Sequence, residues 1–422
     1  MFNSIRAELR RGVAGEMNKR GSEPLAFDFT AKPQTLGYMY QFLYALLLVF
    51  SADETATVAV ESLDDIAFEM DGTAIELVQV KHRAKEASLT DGSVDLWKAV
   101  RVWSTLTRAG KIVPQDIRLL LVTTAAARAG SIAAHLRGEE GRDVRAAVQK
   151  MEQVARTSEN TVLAKAFASF RALSSLQRQQ VVAAITVVDR APRIEQAEAR
   201  IREFLRPASL REHRDAVYDR FVGWWFGRVV QQLRTQGRVS TSAVEIFDRI
   251  RLVADQFGPS ALPIDFLEEA PDSIDPQHDS RVFVQQLKCL GIRNRRIEKA
   301  IVDYYRASMQ RSRWARETLL GVDELEGYER RLVDEWERYS DSLADSEAIT
   351  DPADPEQRRI GCQILDWMEF RACVRIREDV REPYVMRGSY HMLADEEPPR
   401  VWWHPQFLRW LSEASSSREK AS

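Results

Sequence analysis

The chain has 422 residues, a length that predicts one to three domains, and 45% of its residues are hydrophobic, enough for ordinary buried cores. Its longest apolar stretch, residues 42–50, is too short to span a bilayer, so we predict no membrane segment. Three cysteines without paired spacing argue against disulfides and thiolate zinc, and the N-terminus lacks the apolar core of a signal peptide. These features predict a protein of the reducing cytoplasm.

The net charge of −3 is unevenly distributed along the chain. Residues 101–250 contain 25 Lys and Arg against 15 Asp and Glu, whereas residues 301–400 contain 15 against 23. A basic middle segment suits contact with a phosphate backbone, although a set of solvated helix faces explains the counts more simply. The acidic later part argues against DNA wrapping there and leaves room for a protein partner.

The first 125 residues predict strands separated by helices, which is the pattern of an α/β domain. A buried helix is expected over residues 36–51 and an amphipathic helix over residues 93–108. Strands are expected near residues 56–62, 65–70, 74–82 and 117–122. Residues 128–206 are typical of several helices, with one short strand over residues 185–188.

Helices dominate the sequence from Leu210 onward, so we predict a domain of residues 1–209 followed by a helical region of residues 210–422. Long helices are expected over residues 214–234, 242–256, 279–290, 294–319, 322–346 and 356–373. Four prolines among many acids make residues 258–277 an irregular connection. Residues 388–411 are expected to form short irregular structure closed by an aromatic segment.

A candidate site lies where two of the predicted strands end. Alternation along residues 75–81 puts Gln79 and Lys81 on one face of a strand. A hairpin with the preceding strand would bring both side chains to Asp65 and Glu61. Hard oxygen ligands hold Mg²⁺, and a lysine stabilises charge or positions the attacking water, so this set suits metal-dependent phosphodiester cleavage. On spacing alone, a solvated strand edge explains the same pattern more often.

Four ordered segments within roughly residues 25–130 resemble the nuclease domain of bacterial antiphage effectors. That domain belongs to the PD-(D/E)xK restriction-endonuclease-like superfamily and also occurs in the DNA-degrading effectors of cyclic-oligonucleotide (CBASS) signalling systems. The segments are Gly37-Tyr38-Met39-Tyr40-Gln41, Glu61…Asp64-Asp65-Ile66, Gln79-Val80-Lys81 and Asp95-Leu96-Trp97-Lys98. The resemblance implies a restriction-endonuclease-like fold for the N-terminal α/β domain.

The same resemblance implies roles for individual residues. Asp65 and Glu61 would hold Mg²⁺, or Mn²⁺ in its place, and Gln79 would add its carbonyl oxygen. Lys81 would polarise the scissile phosphate or the attacking water. Gln41 would orient that water or the lysine, with capping of a buried helix as the alternative. Gln79 departs from the superfamily pattern, because an uncharged amide replaces the second acid and leaves the ligand set open.

The second half carries another resemblance, over about residues 210–415, to the helical C-terminal region of ABC-three-component conflict-system effectors. The segments are Gly223-Trp224-Trp225, Asp303-Tyr304-Tyr305-Arg306, residues 310–316, 324–329 and 388–395, and Trp403-His404-Pro405-Gln406-Phe407. Lamassu antiphage systems belong to this group, and in them an SMC-like ABC ATPase and a small middle subunit hold a nuclease effector. The resemblance implies that this half docks onto the ATPase complex and performs no chemistry.

Several side chains of the second half have competing explanations. Trp224, Trp225 and the arginines of residues 311–316 are candidates for homo-oligomer contacts or partner docking. Core packing and ion pairs with the acidic helix that follows explain them more simply. His391 and His404 suggest a metal or acid–base site, but His404 followed by proline is more typical of the start of a helix.

The leading hypothesis is a Mg²⁺-dependent endonuclease of double-stranded DNA, the effector of a Lamassu-type system, restrained by its partners and active as a homo-oligomer. The chain has no Gly-x-x-x-x-Gly-Lys-Ser/Thr sequence, so nucleotide hydrolysis is expected from a partner. One alternative is the same nuclease activated by a cyclic oligonucleotide, which would need an α/β ligand-binding domain at the C-terminus. The other is a non-catalytic DNA-binding scaffold subunit with a degenerate nuclease fold.

Overall fold

The computed structural model describes residues 32–61, 64–82, 87–138, 141–235, 239–321, 323–346 and 354–407. The elements of the first part are, in chain order, α1 (Lys32–Val49), β1 (Thr57–Val60), β2 (Ile66–Met70), β3 (Thr73–Lys81), β4 (Ser88–Leu89), α2 (Val94–Arg108), β5 (Arg118–Thr123), β6 (Ala126–Ala127), α3 (Ile132–His135), α4 (Val144–Thr157), α5 (Ala164–Arg171), α6 (Ser175–Ala184), β7 (Ile185–Val188), α7 (Ile194–Leu205), α8 (Arg214–Arg234), β8 (Thr241–Ser242) and α9 (Ala243–Asp255). The predicted helices and strands of the first 125 residues therefore lie within a few residues of the observed ones.

A mixed sheet organises this part of the chain. Within the described residues, its strands lie in the order β7–β5–β3–β2–β1–β8. β3, β5 and β7 run parallel to one another, whereas β2 is antiparallel to both β1 and β3. The register pairs Ile66 with both Val60 and Val78. The end of β1, the start of β2 and the end of β3 therefore meet at one end of the sheet, as the predicted hairpin requires.

Helices cover both faces of the sheet, which parallel strands require because both of their faces must be buried. On one face, α2, α4, α5 and α6 bury Leu77, Leu119 and Leu121. On the other face, α1, α7, α8 and α9 bury Val78 and Val80. Alternate residues of β3 thus point to opposite faces, as its sequence predicts.

The C-terminal region is mainly helical, as expected. Its helices are α10 (Val282–Cys289), α11 (Asn294–Arg316), α12 (Glu324–Ser346), α13 (Asp354–Phe370) and α14 (Pro383–Asp395). They surround a core of their own that includes Trp314, Tyr328, Tyr390 and Trp403. Among the described residues, no helix has both the length and the apolar character that crossing a membrane requires.

The prediction of irregular structure over residues 388–411 is wrong for residues 388–395, which belong to helix α14. Pro383 lies in the first turn, where its missing N–H leaves no helical bond unmade. Gly388 lies at the crossing with α11, and a Cβ atom there would come 2.1 Å from the carbonyl oxygen of Asp303. The glycine therefore allows two helices to approach closely and does not end a helix.

The predicted division between residues 209 and 210 does not coincide with a break in the packing. β8 pairs with β1, and α8 buries Phe221, Trp225 and Val229 against the sheet. Val217 of the same helix packs in the core of the C-terminal region. The first structural unit therefore extends to the end of α9, and α8 joins the two cores.

Candidate functional site

A tight turn between β1 and β2 presents two acidic side chains, Glu61 and Asp65. Glu61 has a left-handed φ of 53°, which is uncommon for a residue with a Cβ atom. Its N–H donates to the carbonyl oxygen of Asp65 at 2.9 Å, which closes the turn. A residue in this conformation costs on the order of 1–3 kcal/mol, and such residues cluster at functional sites, so the strained turn marks a candidate functional site.

The carboxylate of Asp65 joins three groups of β3. Lys81 Nζ and the N–H of Val80 each donate to Asp65 Oδ2 at 2.8 Å, and Gln79 Nε2 donates to Oδ1 at 3.2 Å. The Asp65 and Lys81 side chains remain 13% and 21% exposed, so a ligand can reach the pair from solvent. The structure thus brings Asp65 together with Gln79 and Lys81, which lie 14 and 16 positions after it in the sequence.

The hydrogen bond from Val80 follows from the lengths of the strands. The register between β2 and β3 begins at Ile66 and Val78, so β3 extends beyond its neighbour. The Val80 N–H has no strand partner on that side, and the Asp65 carboxylate accepts its hydrogen bond instead. On the other side, β3 stays paired with β5 as far as Lys81 and Thr123. The carboxylate is therefore held against a strand of the sheet interior, which fixes its position.

Asp64, which the sequence analysis did not assign to the site, lies buried beside Asp65. Its Oδ2 accepts a hydrogen bond from Trp103 Nε1 of α2 at 2.6 Å, and only 7% of the residue is exposed. Burial, aided by the negative charge of Asp65, raises the pKa of Asp64 to about 8, although the Trp103 hydrogen bond and Lys81 act in the opposite direction. Asp64 is therefore mainly a neutral acid at pH 7. Its position next to Asp65 in the sequence was the available signal.

Glu61 shares the electrostatics of this turn. The residue as a whole is exposed, but its carboxyl group lies close enough to protein to lose part of its hydration. That desolvation raises the pKa of Glu61, the charge of Asp65 raises it further, and Lys81 lowers it. Glu61 and Asp65 thus form a pair of acids whose mutual repulsion a cation would relieve.

Gln41 lies on α1, and within the described residues its side chain forms no hydrogen bond to Asp65, Gln79, Lys81 or Glu61. Its Oε1 is buried without a hydrogen-bond partner there. The preceding Tyr40 packs against His82, with ring centroids 4.8 Å apart. Helix α1 therefore lies next to the end of β3, but the predicted role of Gln41 stays a prediction.

A surface cavity of about 700 Å³ opens next to the turn. Residues of β1, the β2–β3 turn and the segment after α2 line it, among them Glu61, Thr73, Lys111 and Gln232. Glu61 lines this cavity, whereas Asp65 and Lys81 do not. The cavity therefore borders the candidate site and does not contain it.

The residues singled out in the second half have structural roles. Trp225 is buried, and its Nε1 donates to the Phe42 carbonyl oxygen at 2.8 Å. Its side chain is therefore not accessible to a partner protein. Arg311 is buried and forms the expected ion pair with Glu329 of the acidic helix α12. Burial lowers the pKa of His391 to about 3, so this histidine is neutral and belongs to the core.

Three side chains near the turn carry oxygen atoms that could bind a divalent metal ion. Asp65 and Glu61 offer carboxylate oxygens of the kind that Mg²⁺ prefers, and the repulsion between them, which raises the pKa of Glu61, would be relieved by a cation. Gln79 turns its amino group toward Asp65, so its carbonyl oxygen would become a ligand only after the amide rotates. Across the described residues, no three His, Cys, Asp or Glu side chains are grouped as a metal site. The fit is therefore that of two carboxylates and an amide.

Residues 283–411 match a family model described as C-terminal domain 7 of the ABC-three component (ABC-3C) systems. The C-terminal region is therefore similar to a domain of these systems over 129 of the 422 residues. The match covers α10 from its second residue, α11 to α14 and the end of the described chain, but none of the residues of the candidate site.

No curated protein matches the chain. Among solved structures, the Moraxella osloensis Cap4 SAVED/CARF-domain containing receptor aligns at 14% sequence identity with a TM-score of 0.29. The alignment covers 61% of this chain and 59% of the receptor, so the chain spans less than two thirds of that protein. At this TM-score the likeness carries no argument about fold or function.

Proposed function

We propose that this chain is a metal-dependent endonuclease of double-stranded DNA and the effector of an ABC-three-component antiphage system. The observation that carries the proposal is the Asp65 carboxylate, which binds Lys81, Gln79 and a backbone N–H where two strands of the sheet end. Phosphodiester cleavage needs an anionic metal ligand close to a cationic group, and this hydrogen-bonded cluster supplies both.

The side chains of the cluster would divide the work. Asp65 and Glu61 would hold Mg²⁺, or Mn²⁺ in its place, which stabilises charge on the phosphate and lowers the pKa of a bound water. Lys81 would exchange Asp65 for the scissile phosphate or the attacking water. Gln79 would contribute its carbonyl oxygen, and Gln41 would orient the water or the lysine.

A restriction-endonuclease-like fold for the α/β part is included in the proposal. In its support, the sheet is mixed and covered by helices on both faces. Asp65, Gln79 and Lys81 lie at one end of the antiparallel β2–β3 pair, where β3 passes beyond β2. Binding would depend mainly on the phosphate backbone, because no groove-reading helix or finger is evident in the sequence.

Membership in the ABC-three-component systems implies partner subunits, such as an ATPase. We propose that these are an SMC-like ABC ATPase and a small middle subunit, which restrain the nuclease in the cytoplasm at rest. The chain carries no P-loop sequence of its own, which agrees with this division of labour. Since each nuclease site would cut one strand, duplex cleavage implies a homo-oligomer as the active form.

Metal dependence tests the proposed chemistry. Purified protein should nick plasmid DNA in Mg²⁺ or Mn²⁺ and should stop in excess EDTA. Asp65→Asn should weaken Mn²⁺ binding, measured by calorimetry, and should lower cleavage at least about tenfold, because it removes one of two anionic ligands. Asp116→Asn is the matched control, since it removes an exposed carboxylate outside the cluster. Undiminished cleavage in chelator would rule out the mechanism.

Restraint by partners is tested separately. Sedimentation and cleavage should be measured on the same samples, with and without the products of neighbouring genes. We expect the free oligomer to cut duplex DNA faster than the partner-bound form. A strictly monomeric protein that cuts both strands fully, and that its partners leave unchanged, would refute this part of the proposal.

A non-catalytic DNA-binding scaffold is the second candidate function. Two observations favour this candidate. Gln79 stands where the nuclease superfamily has an acid, and the charge of Lys81 is already neutralised by its salt bridge to Asp65. This candidate predicts DNA binding without cleavage under any metal condition, so the nicking assay separates the two. Activation by a cyclic oligonucleotide through a C-terminal α/β domain is disfavoured, because the described C-terminal region is mainly helical.

A further inference from the structure

A charged cleft in the C-terminal helices has no part in the proposed nuclease chemistry. Two cavities of about 430 and 390 Å³ adjoin where α11, α13 and α14 meet. Arg295, Lys299, Asp303 and Arg387 line both cavities. Arg293, Phe370 and the ion-paired Arg296 and Glu369 are among the residues that line only the first, and Glu298 is among those that line only the second. We call this surface the α11 cleft and define it by Arg293, Arg295, Lys299, Asp303, Phe370 and Arg387.

Three cations of the α11 cleft lie outside the salt bridges found among the described residues, although Lys299 is close enough to Asp303 to lower its pKa. Arg293, Arg295 and Lys299 are exposed, and their side chains form no ion pair or hydrogen bond with any residue that the structure describes. By contrast, neighbouring Arg296 pairs with Asp366 and Glu369. Most arginines of this region are used in such pairs, so three unpaired cations around one cavity create a local positive potential that favours an anion.

The cleft also carries an exposed aromatic ring. Phe370 ends α13 and is 72% exposed, although the region has a core in which other aromatic residues are buried. The guanidinium carbon of Arg296 lies 5.9 Å from the centre of its ring. Flat aromatic rings next to cations are the usual platform for stacking a nucleobase.

Asp303 supplies an acceptor between these groups. Arg306, on the next turn of α11, does not pair with it, because Arg306 Nε donates to the Glu269 carbonyl oxygen at 2.6 Å. Within the described residues, no hydrogen bond or ion pair reaches the Asp303 carboxylate. Burial raises its pKa to about 6 against the effect of nearby Arg387, so the group is mainly ionised at pH 7.5. It can therefore accept hydrogen bonds from an amino or hydroxyl group of a ligand.

The crossing of α11 and α14 makes this arrangement rigid. Gly388 brings the α14 backbone against Asp303 and Ala307, with so little room that a Cβ atom would collide with both. Asp303 and Arg387 are thus fixed relative to each other by tight helix packing. A site assembled on rigid elements loses less conformational entropy when its ligand binds.

We propose that the α11 cleft binds a nucleotide unit, with phosphates on Arg293, Arg295 and Lys299, the base on Phe370, and an amino or hydroxyl group donating to Asp303. An acidic peptide would satisfy the cations but would bring carboxylates toward Asp303 and leave the ring without a flat partner. The nucleotide unit belongs either to a free nucleotide or to a single strand of nucleic acid. The inference is independent of the nuclease site.

The test uses the full-length protein in EDTA, so that the nuclease site cuts nothing. Binding of a fluorescent single-stranded oligoadenylate of about 12 nucleotides is followed by anisotropy at several salt concentrations. Arg295→Glu/Lys299→Glu should bind at least about tenfold more weakly, and the salt slope should fall by about 1.4, or about 0.7 for each lost phosphate contact. Arg330→Glu/Arg338→Glu, on the exposed side of α12, changes the net charge equally and is the matched control.

Stacking is tested by Phe370→Ala, which should weaken binding at least about fivefold without changing the salt slope. Competition by ATP would identify a free nucleotide as the ligand, whereas competition by unlabelled strand alone would identify nucleic acid, and both results support the site. Equal affinities of the two charge-reversed variants would overturn the proposal. So would an unchanged affinity of Phe370→Ala, or failure of the wild type to bind the labelled oligoadenylate.

Discussion

Replacing Asp64 by asparagine should stabilise the protein at neutral and alkaline pH. Asp64 is buried against Trp103, and burial together with the charge of Asp65 raises its pKa to about 8. Asparagine has the shape of the neutral acid, can accept the Trp103 hydrogen bond, and never needs to be desolvated as an anion. The unusual direction of the effect, a gain in stability on removing an acid next to the candidate site, makes it informative.

The magnitude follows from proton linkage. In the unfolded chain Asp64 loses its proton near its ordinary pKa of 3.8, whereas the folded state keeps it up to about pH 8. Between these values folding takes up a proton, so the stability of the wild type falls by about 1.4 kcal/mol for each pH unit, relative to the variant. From pH 5 to pH 7 the variant should gain about 3 kcal/mol on the wild type. Above about pH 8 the difference should level off.

Urea unfolding followed by circular dichroism at several pH values between 5 and 9 measures this difference. Asp116→Asn, in which an exposed acid is replaced in the same way, should show no comparable dependence on pH. Comparing each variant with the wild type at the same pH cancels the contributions of all other titrating groups. A difference that stays constant with pH, or a variant less stable than the wild type at pH 8, would contradict a buried neutral Asp64.

Two further predictions concern packing. Gln232→Leu should lower the free energy of unfolding by about 3 kcal/mol in urea titrations, because it removes the buried acceptor of the Val60 N–H; an unaltered midpoint would refute this role. Gly388→Ala should destabilise the C-terminal region by at least about 2 kcal/mol, because the new methyl group would collide with the Asp303 backbone. Gly327→Ala, in α12, should instead leave stability unchanged or raise it, because the new methyl group would meet only ordinary contacts with two arginine side chains at 3.9 Å. Equal effects of the two substitutions would contradict the close helix crossing.

The sequence predicted the hairpin of the candidate site well, because its signals are local. Alternation along β3 and the acids at the strand ends were sufficient to place Gln79, Lys81 and Asp65 together. Asp64 was missed as a buried acid because its environment comes from Trp103, 39 residues away in the chain. Tertiary desolvation of this kind leaves no periodic pattern in the sequence.

Two features of the organisation that the sequence did not indicate have a similar origin. β8 is a strand of two residues, too short to give any alternation, yet its pairing with β1 places α8 and α9 in the first structural unit. Residues 388–411 were predicted to be irregular, but Gly388 lies within α14 and allows its close contact with α11. Long-range packing decided both cases, and a single sequence does not record it.

Cleavage of supercoiled plasmid by the Lys81→Ala variant tests the central claim most directly. Lys81 loses its hydrogen bond to Asp65 in this variant, while Asp65 keeps those from Val80 and Gln79, so the turn should stay folded. Loss of a charged group that stabilises the transition state should lower the cleavage rate by about 10²–10³. Lys165→Ala, which replaces an exposed lysine of α5, is the matched control and should cut like the wild type. If Lys81→Ala cuts as fast as the wild type in both Mg²⁺ and Mn²⁺, the assignment of this site is wrong.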